Sequence, residues 1–298
     1  MGFGFDSTAE EVTEGLDLTG QTWLITGCNS GLGLETARVL ALRGAYIIGA
    51  ARTVEKATQA LEQLAIDGTP IACELSALQS VHDAISAVKT LGRPLNGIIA
   101  NAGIMALPEC TQKDGVELQF YVNHVGHFVL VNGLIDQLTD EGRVVVLSSG
   151  AHRYATDSGL ELGNISGAQN YEAWRMYGRS KLANIHFAVG LNRRFKGTNR
   201  RANSVHPGVI DTNLGRHVPD KKAMYDALKK LVRLKTIPQG AATQCYVATH
   251  PELRGVGGQY FADCQPGHLV PVARDPELPD VLWKTTETLV ASLLNPSR

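Results

Sequence analysis

The chain has 298 residues, 44% of them hydrophobic and 19% charged, with a formal net charge of −1. Such figures are ordinary for a globular protein with a sizeable core, and the balanced charge leaves no electrostatic footprint for nucleic acid. Cys28, Cys73, Cys110, Cys245 and Cys264 are scattered and never spaced as CxxC, so they read as reduced thiols rather than a disulfide framework or a zinc site. No basic stretch leads into an apolar run at the N-terminus, and the longest apolar runs, such as Val144 to Leu147, are strand-length. The expectation is a soluble, cytoplasmic protein without a membrane partner.

Residues 1–18 form an N-terminal extension of low apolar periodicity, with a short capped helix expected over 7–12. Beyond it, short apolar runs alternate with helical patterns. Residues 23–26 read as a buried strand, followed by a glycine loop and a helix over 34–43 that Gly44 stops. Strand 46–50 precedes helix 54–66, strand 70–73 precedes helix 77–91, and strand 97–100 precedes one long helix over 116–138. A strand at 143–147, a helix at 177–195 and strands at 201–205 and 258–261 complete the series. Continuous β-rich runs separated by helices imply an α/β fold: a doubly wound parallel sheet of the Rossmann kind, with about seven strands and helices on both faces. No Pro/Ser-rich linker interrupts 19–298, which reads as a single domain with an insertion at 216–237.

The run Thr26, Gly27, Cys28, Asn29, Ser30, Gly31, Leu32, Gly33 lies where the first strand hands over to the first helix. Glycine there lets backbone approach a pyrophosphate, and the helix N-terminus supplies N–H groups and partial positive charge. A glycine turn alone is weak evidence; strand before and helix after make dinucleotide binding the reading. The second strand ends in Ala50-Ala51-Arg52-Thr53, without the acid that would bond a free ribose 2′-hydroxyl. Arg52 suits a phosphate instead. NADP(H) is therefore preferred over NAD(H), although a solvated arginine at a strand end would look the same.

Tyr177 and Lys181 stand four residues apart near a helix start, on one helix face. A free phenol titrates near pH ~10, and a neighbouring ammonium favours phenolate, bringing proton transfer towards neutral pH. A YxxxK string occurs often by chance; its company gives it meaning. Ser148 and Ser149 end a strand at the carboxyl edge of the sheet, where a hydroxyl can bond a substrate carbonyl. Asn101, Ala102 and Gly103 end the fourth strand, Asn123 is a polar residue mid-helix on a face read as buried, and Pro207-Gly208 with Thr212 follow the sixth strand.

With these residues in place the chain resembles the short-chain dehydrogenase/reductase family, non-extended branch, over about residues 18–265. The segments Val122-Asn123-His124-Val125-Gly126-His127-Phe128, Ser148-Ser149-Gly150-Ala151-His152 and Ser180-Lys181-Leu182-Ala183-Asn184 are similar to its retinol-dehydrogenase-like and WW-domain-oxidoreductase-like subgroup. The resemblance implies an oxidoreductase interconverting a ketone or aldehyde and an alcohol. It makes Tyr177 the general acid/base and Lys181 its partner and a ribose ligand. Ser149 would polarise the reacting oxygen, and Asn123 would position a relay water. Val209 and Thr212 would grip the carboxamide, and Glu74-Leu75 would stand at the adenine site, where the family usually has Asp. Ala100 replaces a frequent Asn. The N-terminal anchor common among retinol-type relatives is not expected here, which counts against a retinoid substrate. The family places its substrate lid after Thr212, at about 213–237 here, and forms homodimers or homotetramers through helices corresponding to 116–138 and 177–195.

Other features receive blander readings. His124 and His127 share a helix face, but no third ligand is suggested, so no metal is expected. His206 reads as a hydrogen-bonded strand-end residue, and His152 as a surface loop residue, with lining the substrate mouth as the alternative. Residues 221–235 (KKAMYDALKKLVRLK) are amphipathic and basic; a lid with a solvated basic face is preferred to a membrane or acidic-partner surface. Two alternatives stand beside the carbonyl/alcohol enzyme. One is a catalytically silent nucleotide-sensing or partner-binding module. The other is a C=C reductase or an epimerase of the same superfamily, which the YxxxK spacing and the TGxxxGxG loop disfavour.

Overall fold

The apolar runs become strands whose alternate residues feed two separate core layers. The computed structural model describes residues 2–155 and 158–295. The first winding is β1 (Thr22–Thr26), α1 (Gly31–Leu42), β2 (Tyr46–Ala51), α2 (Val54–Leu64), β3 (Gly68–Ala72) and α3 (Leu78–Thr90). The second begins at β4 (Leu95–Ala100). A small antiparallel pair, β5 (Gln112–Lys113) and β6 (Val116–Glu117), then leads into α4 (Leu118–Phe120), a π turn over Tyr121–Val125 and α5 (Gly126–Gly133). After these come β7 (Leu138–Leu147), α6 (Ala173–Arg194), β8 (Arg201–His206), α7 (Lys221–Leu231), α8 (Ile237–Thr249), β9 (Tyr260–Ala262), β10 (Gln265–Pro266) and α9 (Leu278–Leu294).

The main sheet runs β3-β2-β1-β4-β7-β8-β9-β10. Its strands are parallel through β9, as the sequence led us to expect, and the short antiparallel β10 adds an eighth at the edge. Strand order reverses between β1 and β4, so a crevice opens at their carboxyl ends. Leu24, Ile48, Ile98, Val144 and Val146 face one way, into a core shared with α3, α5, α6 and α9. Trp23, Ile25, Ile47, Ile99 and Val145 face the other, against α1, α2 and α8. Each such side chain contributes roughly 1.5–3 kcal/mol by leaving water, and the period of two leaves the central strands buried on both faces.

Several expectations change. The helix expected over 116–138 is broken up. Glu117 caps its start by accepting from the N–H groups of Gln119 and Phe120 (3.1 and 2.8 Å), and Leu138 has already joined β7 opposite Leu95. The helix expected from 177 begins at Ala173, one turn earlier, because the Glu172 carboxylate caps it. The helix expected over 7–12 is a single 3-10 turn, Glu11–Thr13, introduced by reciprocal Thr8–Glu11 bonds. Helix α8 was not foreseen, although Thr236 and Gln239 form a capping box at its start.

Helix α9 was not foreseen either, and it changes the outer face of the molecule. Trp283 packs 4.9 Å from the Phe128 ring and 5.8 Å from the Phe187 ring, with the Arg194 guanidinium 3.5 Å over it. Thr286 meets His124 Nε2 at 3.0 Å. Helix α9 therefore packs against part of α5 and α6, the helices that the resemblance assigns to subunit contacts. Among the described residues, no helix is long and apolar enough to cross a membrane.

Candidate active site

The crevice is furnished first by the turn after β1. Gly27 and Gly31 hold φ of +68° and +54°, a left-handed conformation that suits glycine. A Cβ on Gly33 would lie 2.5 Å from Asn101 Nδ2 and closer still to the Gly27 carbonyl, so α1 can meet the sheet this closely only through glycine. Ser30 precedes α1 in extended conformation and makes no side-chain cap. The first N–H groups of α1 therefore remain available to an anion.

Thr26 ties this turn to β4. Its hydroxyl oxygen accepts from the backbone N–H of Asn101 (2.9 Å) and of Ala102 (3.0 Å), while Asn101 Nδ2 donates to the Thr26 carbonyl at 2.7 Å. The third partner is His127. Its Nδ1 faces the Asn123 carbonyl at 3.1 Å and must donate there, so Nε2, 2.9 Å from Thr26 Oγ1, accepts the hydroxyl proton. Burial pushes His127 down to about 4, which keeps it neutral. A histidine set aside as a metal candidate is instead a strut between the glycine turn and the π turn.

That π turn presents Asn123, whose side chain is fully used. Oδ1 accepts from Ile104 N (2.9 Å), and Nδ2 donates to the Ile104 carbonyl (3.0 Å) and to Ser180 Oγ (2.9 Å). Ser180 in turn donates to the Tyr177 carbonyl at 2.7 Å. Asn123 thus braces the loop after β4 against the turn of α6 that carries Tyr177. Its main-chain carbonyl accepts from His127 Nδ1.

Tyr177 and Lys181 lie on one face of α6, the ammonium 5.6 Å from the phenol ring centre. Lys181 Nζ donates to the Leu147 carbonyl at 3.0 Å, beside Asn184 Nδ2 at 2.8 Å. Burial lowers Lys181 to about 7. Burial also raises Tyr177 well above the ordinary phenol value, and a hydrogen bond with Ser149 opposes that rise. Burial is thus the largest influence on the phenol, ahead of the Ser149 bond. The two serines divide: Ser148 donates to the Lys181 carbonyl at 2.7 Å and is structural, whereas Ser149 faces the phenol.

The glycine turn, Ser149, Tyr177 and Lys181 open on a cavity of about 1470 Å³. Gly27, Asn29, Ser30, Gly31, Leu32, Arg52, Glu74, Leu75, Asn101, Ala102, Gly103, Ser149, Tyr177, Lys181, Pro207, Gly208, Val209 and Thr212 line it. Of the residues picked from sequence, Gly33 and Asn123 stand one layer behind. Arg52 reaches the cavity, whereas the Glu74 carboxylate turns back to Ser76 N and Oγ (3.0 and 2.8 Å). His206 accepts from Gly150 N at 3.0 Å, as a strand-end residue should, while His152 is buried and bonded to the Ser149 carbonyl at 2.7 Å, neither on the surface nor lining the mouth.

Residues 213–237 roof the cavity. Tyr225 anchors α7 by donating to the Ile210 carbonyl at 2.8 Å. Met224 and Leu228 look inward, whereas Leu231 is 80% exposed. The lid rejoins the body at Lys235, whose N–H donates to the Val209 carbonyl (2.9 Å) and whose ammonium meets Asp263 at 2.6 Å. Sequence reasoning missed Phe5. The N-terminal extension crosses the lid's end, with Asp6 paired to Arg233 at 2.6 Å and the Phe5 ring beneath Arg233 and Lys235 (4.5 and 4.8 Å), and Phe5 lines the cavity. No local pattern announces such a contact.

Comparison with known proteins agrees with this geometry. The family model described as short chain dehydrogenase matches residues 21–223. "Short-chain dehydrogenase TIC 32 B, chloroplastic" of Brassica napus is 43% identical, covering 98% of this chain and 95% of that protein. The Homo sapiens "WW domain-containing oxidoreductase" is 38% identical over 97% of this chain and 72% of its own length, and Homo sapiens "Retinol dehydrogenase 14" is 37% identical over 92% and 87%. Among solved structures, an uncharacterized protein from Mycobacterium Paratuberculosis superposes with a TM-score of 0.76 at 31% identity, covering 94% of this chain and 97% of that one. A short chain dehydrogenase from Burkholderia cenocepacia J2315 in complex with NADP shares the fold at a TM-score of 0.67 and 24% identity, covering 82% and 96%.

Proposed function

The chain belongs to the short-chain dehydrogenase family, and from that premise we propose that it interconverts a ketone or aldehyde and an alcohol on a bulky, largely apolar substrate, with NADP(H) preferred over NAD(H). The observation that carries the reading is the convergence of Ser149, Tyr177 and Lys181 at one end of a cavity whose other end is the glycine turn and the uncapped start of α1. That turn, Arg52 and the absence of an acid at the end of β2 suit a phosphorylated dinucleotide. Asn29, Ser30, Gly31 and Leu32 would hold its phosphates, Asn101 to Gly103 its middle, and Pro207 to Val209 with Thr212 its nicotinamide end. The bound nicotinamide supplies or accepts the hydride.

The chain's own groups handle the proton. Ser149 orients the substrate oxygen, and Tyr177, a phenol whose proton burial holds more tightly still, donates to that oxygen in reduction. Lys181, held at the Leu147 carbonyl, stabilises the phenolate left behind, and Asn123 would position a water for reprotonation. Met105, Leu118, Val122, Trp174 and Leu214 give the substrate end an apolar wall. The cytoplasm is kept as the proposed compartment, though the Brassica napus relatives are named chloroplastic.

The test is NADPH oxidation across a chemically diverse carbonyl panel, with Tyr177→Phe beside the parent. Loss of turnover with nucleotide binding intact supports the mechanism. Near-normal turnover of the best substrate by the phenylalanine variant sinks it. Tight NADPH binding without turnover of any substrate points to a nucleotide-sensing module instead.

A further inference from the structure

Where the lid's first turn meets the glycine turn, two cations lie close that are distant in sequence. Arg52 leaves the carboxyl end of β2. Arg216 leaves the 3-10 turn Asn213–His217, which Thr212 caps by accepting from Leu214 N at 3.3 Å. Thr212 itself stands 3.7 Å from where a Cβ on Gly31 would lie, so the lid's first turn rests against the glycine turn. Arg52, Arg216 and His217 all line the cavity here.

The three groups feel one another. Arg216 is lowered by burial and by Arg52, and His217 by burial, by Arg216 and by Arg52. Among the described residues neither arginine has a carboxylate partner, and the hydrogen bond of Arg216 goes to the Asn213 carbonyl at 3.2 Å. Like charges brought together without a neutralising acid, beside an uncapped helix start, describe a site for a doubly charged anion.

We propose that Arg216 is a second ligand of the cofactor's 2′-phosphate, closing over it opposite Arg52, so that the opening turn of the lid is a nucleotide-specificity element. This rests on the reading of the cofactor as NADP(H). It also links the two halves of the cavity, because a lid pinned by the phosphate stays folded over the substrate end.

Isothermal titration with the fragments 2′,5′-ADP and 5′-AMP tests it without turnover. The parent protein should prefer 2′,5′-ADP. Arg216→Gln should weaken 2′,5′-ADP by about ten- to a hundredfold, the effect of a lost charge-assisted bond, and leave 5′-AMP unchanged. Arg216→Lys, which keeps charge but not the fork, should fall between. A melting temperature equal to the parent's shows that the fold is intact. If the parent fails to distinguish the fragments, the NADP(H) reading fails and this inference with it. If the parent distinguishes them and Arg52→Gln abolishes the difference while Arg216→Gln does not, the inference alone is overturned.

Discussion

Replacing Thr26 by valine preserves the shape of the side chain and removes one hydroxyl, and the structure says what that hydroxyl holds. Two backbone N–H groups, of Asn101 at 2.9 Å and Ala102 at 3.0 Å, lose their acceptor, and the Nε2 lone pair of buried His127 loses its donor. An orphaned buried polar group costs about 1–3 kcal/mol. Asn101 and Ala102 are half-buried and will recover part of that from water, so about 2–4 kcal/mol in total is expected. Urea unfolding followed by tryptophan fluorescence measures it, since Trp23 lies in the same strand. An unchanged m-value would show that the loss belongs to the native state. Thr26→Ser keeps the hydroxyl and should stay within about 1 kcal/mol of the parent, the deleted methyl being worth that much. A valine variant as stable as the parent, or a serine variant as damaged as the valine one, would refute the network.

Other outcomes follow from the same geometry. Gly33→Ala would force a Cβ to 2.5 Å from Asn101 Nδ2 and against the Gly27 backbone; nucleotide binding should be lost in titration and the melting temperature should fall. At the Lys235–Asp263 pair the lysine side chain is fully buried and the aspartate is 43% exposed. Asp263→Asn, which strands a buried ammonium, should therefore cost about 3–5 kcal/mol, and Lys235→Met clearly less; equal losses on urea unfolding would contradict this. Burial holds His124 near 3 and His127, His186 and His206 near 4, below the value of about 6.5 in an unfolded chain. The unfolded state then binds more protons between about pH 6.5 and pH 4, so stability is full above that window and is lost as pH falls through it, by at most about 5 kcal/mol per pH unit for the set. Melting temperatures that stay level from about pH 7 to pH 5 would show that these rings are not held neutral.

The alternation of strand and helix was legible in the sequence because the central strands are short, apolar and buried on both faces, and each turn carries its own punctuation. The positions of Ser149, Tyr177, Lys181 and the glycine turn could be read for a related reason: in an open parallel sheet the carboxyl ends of the strands converge, so residues at those ends share a site wherever they fall in the chain. Tertiary structure alone decided the rest. How far burial shifts the phenol depends on how dry the pocket is. That Asn123 is a brace, and His127 a neutral strut between Thr26 and the Asn123 carbonyl, depends on a π turn with no local signature. The packing of α9 against α5 and α6, the reach of Phe5 into the cavity and the meeting of Arg216 with Arg52 all join segments far apart in the chain. Periodicity reports which face of an element is buried; what it is buried against follows only from packing.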